Sequence, residues 1–393
     1  MKQLKVYHQL MKDPGVELYR TYILEKNKDK QREIAERMIV YLLDHGQKKD
    51  GIFSWKDYIA QRVLADENLF SMGAEQRRPM VRPVLQMTLS DLYKIQQMMK
   101  TTWTAYGHAA FDLLNGIFQE KDTNPFVKLS TADLFKWLKK FHEQNGTGIF
   151  TSSYVFKLTT DGTVIGVDHF EKVSFQDLIG YQRQMDSIRE NVESFLHGKG
   201  FNNMLLYGDR GTGKSSSVKA LLHEYKEEGL AVIEMKKDQF IHFSNISNTL
   251  RGRRQKCMVF IDDLSFEPSE TSYKELKAVL EGSFESKPEN IMMVVTSNRR
   301  HLIKESFADR ETDIHVRETI GEQLSLFDRF GLIVYFDQPG EALFQEMVLE
   351  MASREGIVHS EEELLALANR WKVEKGTKSG RSVRQFIDSL KRQ

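Results

Sequence analysis

The sequence predicts an α/β protein in which a parallel sheet of five strands is covered by helices, preceded by a mainly helical region and followed by a smaller helical one. Three observations predict it. After Gly200 short apolar runs alternate with amphipathic stretches, as strands do when crossover helices join them. Before about His169 apolar residues recur at threes and fours instead. From Pro339 onward the strand-like runs cease and only helical periodicity remains. At 393 residues the chain exceeds what one core usually organises, so two or three domains are expected.

Composition narrows the function classes. Hydrophobic residues at 40% and charged residues at 28% give a globular balance and exclude a disordered chain. Lys plus Arg equals Asp plus Glu at 56 each, so no global field draws the chain to nucleic acid or anionic lipid, and any such contact must be local. The single cysteine, Cys257, excludes an intrachain disulfide and a thiolate-rich zinc site; it fits a reducing compartment and reads as a small buried hydrophobe at the start of a strand. The eleven histidines show no metal-ligand spacing. With no apolar run suited to a signal peptide or a membrane span, the cytoplasm is the expected location.

In chain order, "TLSDLYKIQQMMKTTWTAYG" sets Leu92, Ile95, Met99, Trp103 and Tyr106 on one helical face. In "LSTADLFKWLKKFHEQNGTG", Ser130 caps a helix, Leu134, Phe135, Leu138 and Phe141 form its apolar stripe, and Asn145-Gly146 stops it. "SYVFKLTTDGTVIGV" follows as a hairpin whose Asp161-Gly162 suits a type I′ turn, and it is expected to close the first domain. Ile188, Val192 and Phe195 share a face of the next helix. Strands are expected at 203–207, 231–235, 258–262, 291–296 and 332–336, and three helices after Pro339. The resulting domains are 1–172, mainly helical with a terminal hairpin; 173–338, the sheet; and 339–393, helical.

Chemistry concentrates in the middle domain. Gly208, Gly213, Lys214 and Ser215 have the G-x-x-x-x-G-K-S spacing of a phosphate-binding P-loop, between an apolar run and an amphipathic helix. Glycines let the backbone curl so that N–H groups point at phosphate, and the helix adds its positive N-terminal end. The whole stretch Gly208, Asp209, Arg210, Gly211, Thr212, Gly213, Lys214, Ser215 and Ser216 is therefore a candidate nucleotide cradle, with Lys214 on the β- and γ-phosphates and Ser215 on Mg²⁺.

"MVFIDDLSF" delivers Asp262 to the end of a second strand, where an aspartate holds Mg²⁺ directly or through water. Asp263 stands where many ATPases carry glutamate. It either polarises the attacking water or caps the next turn; the first reading is favoured, with the shorter side chain costing some geometry. "MMVVTSNRR" ends a third strand in Thr296, Ser297 and Asn298, and Asn298 is a candidate sensor of the γ-phosphate or the attacking water.

"GDRGTGKSS", "VFIDDLSF", "VVTSNRR", "LSLFDRFGL" and "SGRSVRQF" together resemble the AAA+ ATPases in order and spacing, from about Val173 to the end. "DDLSFE", "SYKELKAVLEG", "TSNRRHLI" and "DRFGL" look more closely like a bacterial stand-alone AAA+ family known only as a domain of unknown function. The resemblance implies strand order 5-1-4-3-2, a helical lid, and ATP held between core, lid and a neighbouring subunit. It also implies Asn298 as sensor 1, Arg329 as an arginine finger acting in trans, Arg384 as sensor 2 with Arg381 one helical turn away as its competitor, and Gly180 and Tyr181 beside the adenine. Arg299 and Arg300 follow the sensor without an assigned role.

The expected function is thus an oligomeric ATPase that uses Mg-ATP to remodel or load a partner, with the N-terminal domain selecting an unknown protein. Two alternatives stand beside it: an ATP-gated binding switch with little hydrolysis, and a DNA-associated initiator or helicase-loader-like protein. The last would use the basic run "LRGRRQK", with Arg251, Arg253 and Arg254, although a solvated helix end is the plainer reading. Phe240 and Phe243 in "KKDQFIHFSN" occupy the place of a polypeptide-gripping loop, but core packing is favoured for them.

Overall fold

The computed structural model describes residues 3–45, 54–100, 124–167, 170–266, 270, 272–281, 288–299, 302 and 327–392. The chain divides into two compact units, Met1–Ser152 and Ser153–Gln393.

The first unit is helical, with α1 (Pro14–Leu24), α2 (Lys28–His45), α3 (Trp55–Ala65), α4 (Leu69–Glu75), α5 (Arg82–Met99), α6 (Pro125–Lys128) and α7 (Thr131–Asn145). Local chemistry sets the helix starts. Asp13 accepts the N–H groups of Gly15 and Val16 at α1, and Ser54 with Asp57 forms a reciprocal capping box at α3. The stripe expected on α5 faces the core, with Leu92, Ile95 and Met99 buried; Trp103 and Tyr106 lie outside the described residues. On α7, Ser130 caps the start and Leu134 and Leu138 are buried, while Phe135 and Phe141 are half-buried and Gly146 ends the helix at φ +76°. Asp91 fastens the N-terminal segment to α5: buried in the core, it accepts the N–H groups of Lys5 at 2.6 Å and Val6 at 2.7 Å, and Lys94 Nζ lies 3.3 Å away.

The second unit runs β1 (Val155–Leu158), β2 (Val164–Gly166), α8 (Gln182–Leu196), β3 (Met204–Gly208), α9 (Lys214–Tyr225), β4 (Leu230–Glu234), α10 (Phe243–Leu250), β5 (Lys256–Ile261), α11 (Ser272–Glu281), β6 (Ile291–Ser297), β7 (Leu332–Phe336), α12 (Glu341–Arg354), α13 (Glu361–Lys375) and α14 (Gly380–Leu390). Its strands form one mixed sheet in the order β2-β1-β4-β5-β6-β3-β7. Every pairing is parallel except the antiparallel β1–β2 hairpin.

The five expected strands are all present and keep the order 5-1-4-3-2 among themselves, but the sheet has seven strands, not five. The hairpin expected to close the helical domain is the difference. It adds β1 to β4 in parallel, with Val155 opposite Val232 and the Val232 N–H donating to Tyr154 O at 2.8 Å. Without it β4 would be an open edge with unpaired backbone groups. Its turn also differs from the expected type I′. Thr159 N–H donates to Thr163 O and Gly162 N–H to Thr159 O, so the loop has three residues and only Gly162 takes a positive φ, +83°. Asp161 supports this form by accepting from the Thr163 hydroxyl at 3.0 Å.

The central strands are covered on both faces, which is why they read as unbroken apolar runs. Met204, Leu206, Val232, Met258, Val294 and Phe336 share one core cluster with Ile188, Val192 and Phe195 of α8 and Val218 and Leu221 of α9. The alternate residues Leu205, Ile233, Val259 and Val295 are also fully buried. Phe344, Met347, Val348, Val383 and Phe386, from the C-terminal helices, belong to the first of these clusters, so core and cap are one hydrophobic body.

Candidate nucleotide site

The sheet topology gathers three sequence motifs. β3, β5 and β6 are adjacent and parallel, so the loops leaving their carboxyl ends open on the same edge. A cavity of about 820 Å³ lies there, lined by residues from Arg210 to Ser216, by Asp262, Asp263, Thr296 and Asn298, and by α14.

The loop from β3 to α9 is possible only with glycine at key points. Gly208 has φ +140°, and a Cβ there would sit 1.9 Å from the carbonyl oxygen of Phe336 on β7. Gly213, at φ +99°, turns the chain into α9 and a Cβ would meet Leu178 at 3.0 Å. Thr212 hydroxyl donates to Asp209 O and Ser217 hydroxyl to Gly213 O, both at 2.8 Å, which stiffens the curl. Lys214 is 6% exposed and its Nζ donates to Gly208 O at 2.8 Å and Asp209 O at 2.6 Å. Two of its three protons are thus held and the head is fixed inside the loop. Burial lowers the Lys214 pKa, while Asp209, Asp263 and Asp262 oppose that shift and favour the charged form.

The two aspartates have different environments. Ser215 hydroxyl donates to Asp262 Oδ1 at 2.6 Å and Thr296 hydroxyl donates to the same oxygen at 2.5 Å. Asp262 and Ser215 therefore present adjacent hard oxygen donors. Mg²⁺ takes one or two carboxylates together with phosphate and water, so this donor set fits it. Asp263 turns the other way: its φ is +50°, in the left-handed region, one of two such non-glycine residues among those described. Its N–H donates to Thr296 Oγ1 at 2.9 Å and its Oδ1 accepts from the Asn298 side-chain amide. Leu264 N–H then bonds Thr296 O at 2.8 Å, so the chain continues along β6 rather than entering a capped helical turn. The left-handed residue gives a physical reason for aspartate over glutamate. Short polar side chains tolerate αL through local hydrogen bonds, and longer ones do so less well.

Tyr181 is buried, tilts against Phe336 at 5.4 Å between centroids and donates to Asp337 O at 2.9 Å; burial raises its pKa. Gly180, at φ +85°, passes so close to Leu343 that a Cβ would lie 2.0 Å from it. Tyr181 borders the cavity and Gly180 is the turn that brings it there. Arg384 also borders it, but its guanidinium is engaged, donating to Glu355 at 2.8 Å and lying 3.8 Å from Asp177. Arg329 is exposed in the turn before β7 and does not line the cavity; Arg299 is exposed beyond β6, and Arg300 lies outside the described residues.

Sequence reasoning missed one wall. Val173, Leu178 and Ile179 from the segment before α8, with Met347 and Met351 from α12, give the cavity its apolar side. The two methionines, four apart, were legible as a buried helix face, but the pattern does not distinguish a face packed on core from one fronting a cavity. Lys172 and Lys219 were not singled out, and with Arg381 they tilt the wall to six basic side chains against four acidic ones, a balance suited to a polyanion.

The residues proposed for other contacts are used locally. Phe240 is buried and packs 6.4 Å from the Phe266 ring, as a core residue does. In the basic run, Arg253 Nε donates to Thr249 O and Lys256 Nζ to Glu289 O, so both finish a helix or strand end.

Among family descriptions, one matches residues 151–393, well over half of the chain. The chain belongs to the family "Protein of unknown function (DUF815)". That membership agrees with the resemblance to a stand-alone family, and the match begins just before the hairpin that the structure adds to the sheet. More distant similarities are weaker. The signal recognition particle receptor FtsY of Buchnera aphidicola subsp. Schizaphis graminum is 23% identical over 65% of this chain and 68% of its own. The replication factor C large subunit of Pyrococcus horikoshii is 27% identical over 26% of this chain and 24% of its own. Among solved structures, the RuvB Holliday junction branch migration motor of Thermotoga maritima aligns with TM-score 0.36 and 14% identity, over 55% of this chain and 71% of that one. No described helix of the DUF815 chain is long and apolar enough to cross a membrane.

Proposed function

We propose that this DUF815 protein is an AAA+ ATPase that binds and hydrolyses Mg-ATP to act on a partner. The observation that carries the reading is the convergence of Lys214, Ser215, Asp262, Asp263 and Asn298 on one cavity from the ends of three adjacent strands. In this reading the loop N–H groups from Arg210 to Ser216 and the start of α9 bind the phosphates, and Lys214 neutralises the β- and γ-phosphates. Ser215 and Asp262 would hold Mg²⁺, which when bound polarises the phosphate oxygens. Asp263 would take the proton of the attacking water, and Asn298 would hold that carboxylate and the γ-phosphate in one geometry. The apolar side formed by Ile179, Tyr181, Met347 and Met351 suits an adenine ring.

Arg329, exposed and away from its own chain's cavity, is suited to reach the site of a second copy, so catalysis would need an oligomer. The helical unit, residues 1–152, would select the partner. Phosphate release by the full chain, measured across a protein concentration series with Mg-ATP, tests the reading. Turnover should rise more than linearly with concentration and vanish in Lys214→Ala. Background turnover at every concentration, with ATP still bound, would instead favour the ATP-gated switch, a reading supported by the Asn298 amide that already engages Asp263.

A further inference from the structure

Two arginines of α14 line the cavity, and motif matching favours Arg384 as the one that senses nucleotide. Their surroundings divide the work differently. Arg384 Nη1 donates to Glu355 Oε1 at 2.8 Å while Nη2 lies 3.8 Å from Asp177 Oδ1, and Lys391 Nζ holds the other Glu355 oxygen at 2.5 Å. These contacts tie the second turn and the C-terminal end of α14 to the end of α12 and to the segment before α8. Reaching a phosphate would require Arg384 to leave a charged hydrogen bond.

Arg381 lies one turn earlier on the same face, directly over the phosphate loop. Its N–H points to Gly211 O at 3.4 Å, and its Cβ lies 3.1 Å from where a Cβ on Gly211 would be. Ser379, the residue capping α14, stands over the same glycine, its Oγ 2.7 Å from where that Cβ would be. The first turn of α14 therefore rests on the middle of the loop, and Arg381 is exposed on the cavity wall.

We propose that Arg381 is the arginine of the C-terminal cap that contacts the terminal phosphate, and that Arg384 is a positioning residue that docks α14 through Glu355 and Asp177. The assignment deepens the ATP reading and rests on it. Arg381 extends from a turn already seated on Gly211, so a phosphate held by the loop lies within the sweep of its side chain without any movement of the helix. Arg384 acts on the nucleotide only by keeping that turn in place.

Equilibrium binding of ATPγS and ADP with Mg²⁺, with melting of the same samples, tests the division. Arg381→Ala should weaken ATPγS about tenfold, leave ADP within about twofold and leave melting unchanged, so the ratio of the two affinities collapses. Arg384→Ala should lower the melting temperature and weaken both nucleotides by the same factor, keeping the ratio, and Arg384→Lys should restore most of both losses by renewing the Glu355 pair. A collapsed ratio in Arg384→Ala with an intact one in Arg381→Ala would overturn the assignment, as would equal collapse in both. The unsubstituted chain separates this from the reading beneath it: if it binds neither nucleotide, the ATP reading itself falls.

Discussion

Asp263→Glu lengthens the carboxylate by one methylene, and the backbone predicts that it makes matters worse. At φ +50° Asp263 occupies a region that costs an ordinary side chain roughly 1–2 kcal/mol, part of which a short carboxylate recovers by local hydrogen bonding. Taking a difference of about 1 kcal/mol for glutamate, melting of the second unit should fall by about 2–4 °C. The alternative is that the residue relaxes to negative φ. That would break the Asp263 N–H bond to Thr296 Oγ1 and move the carboxylate away from Asn298. A displacement of about 1 Å at a reacting group costs up to about 10²-fold in rate, so turnover should drop even though a carboxylate is retained. Asp263→Asn separates the two effects: it tolerates αL and should melt like the parent, while losing about 10² to 10⁴ in turnover with the base. Melting curves and phosphate-release rates on the three proteins decide it. Faster turnover in Asp263→Glu with unchanged melting would refute the backbone argument.

Thr296→Val removes a hydroxyl that donates to Asp262 and accepts from Asp263 N–H; with one bond to a charged group lost, about 2–3 kcal/mol of stability should go, seen as a shifted denaturant midpoint at constant slope. Gly208→Ala drives a methyl into Phe336 O and should cost more than about 3 kcal/mol, so recovery of a normally melting protein would contradict the geometry. Burial pushes the Cys257 thiol well up from its usual range, and the native chain should resist thiol reagents until denatured; rapid stoichiometric labelling of folded protein would be inconsistent with that site.

The five core strands fell within two residues of their expected bounds, because strands buried on both faces write themselves as continuous apolar runs. The loop between β3 and α9 was legible because its conformation is a backbone property, and only a fixed glycine spacing permits the curl. The hairpin was recognised as a hairpin but given to the wrong neighbour. Its alternating residues specify a partner strand without naming which one, and the pairing with β4 joins residues far apart in the chain.

Local features were therefore legible in the chain: which segments are strands and helices, and that Lys214, Ser215, Asp262, Asp263 and Asn298 each lie at an element's terminus with chemistry to offer. The remaining features follow from long-range packing. It placed the hairpin on β4, put Asp263 in the left-handed region by pairing its N–H with Thr296, and fronted the cavity with Met347 and Met351. It also seated Arg381 on Gly211 while engaging Arg384 with Glu355. Each of these depends on which long-range neighbour meets a group, and a spacing along the chain carries no information about a distance across it.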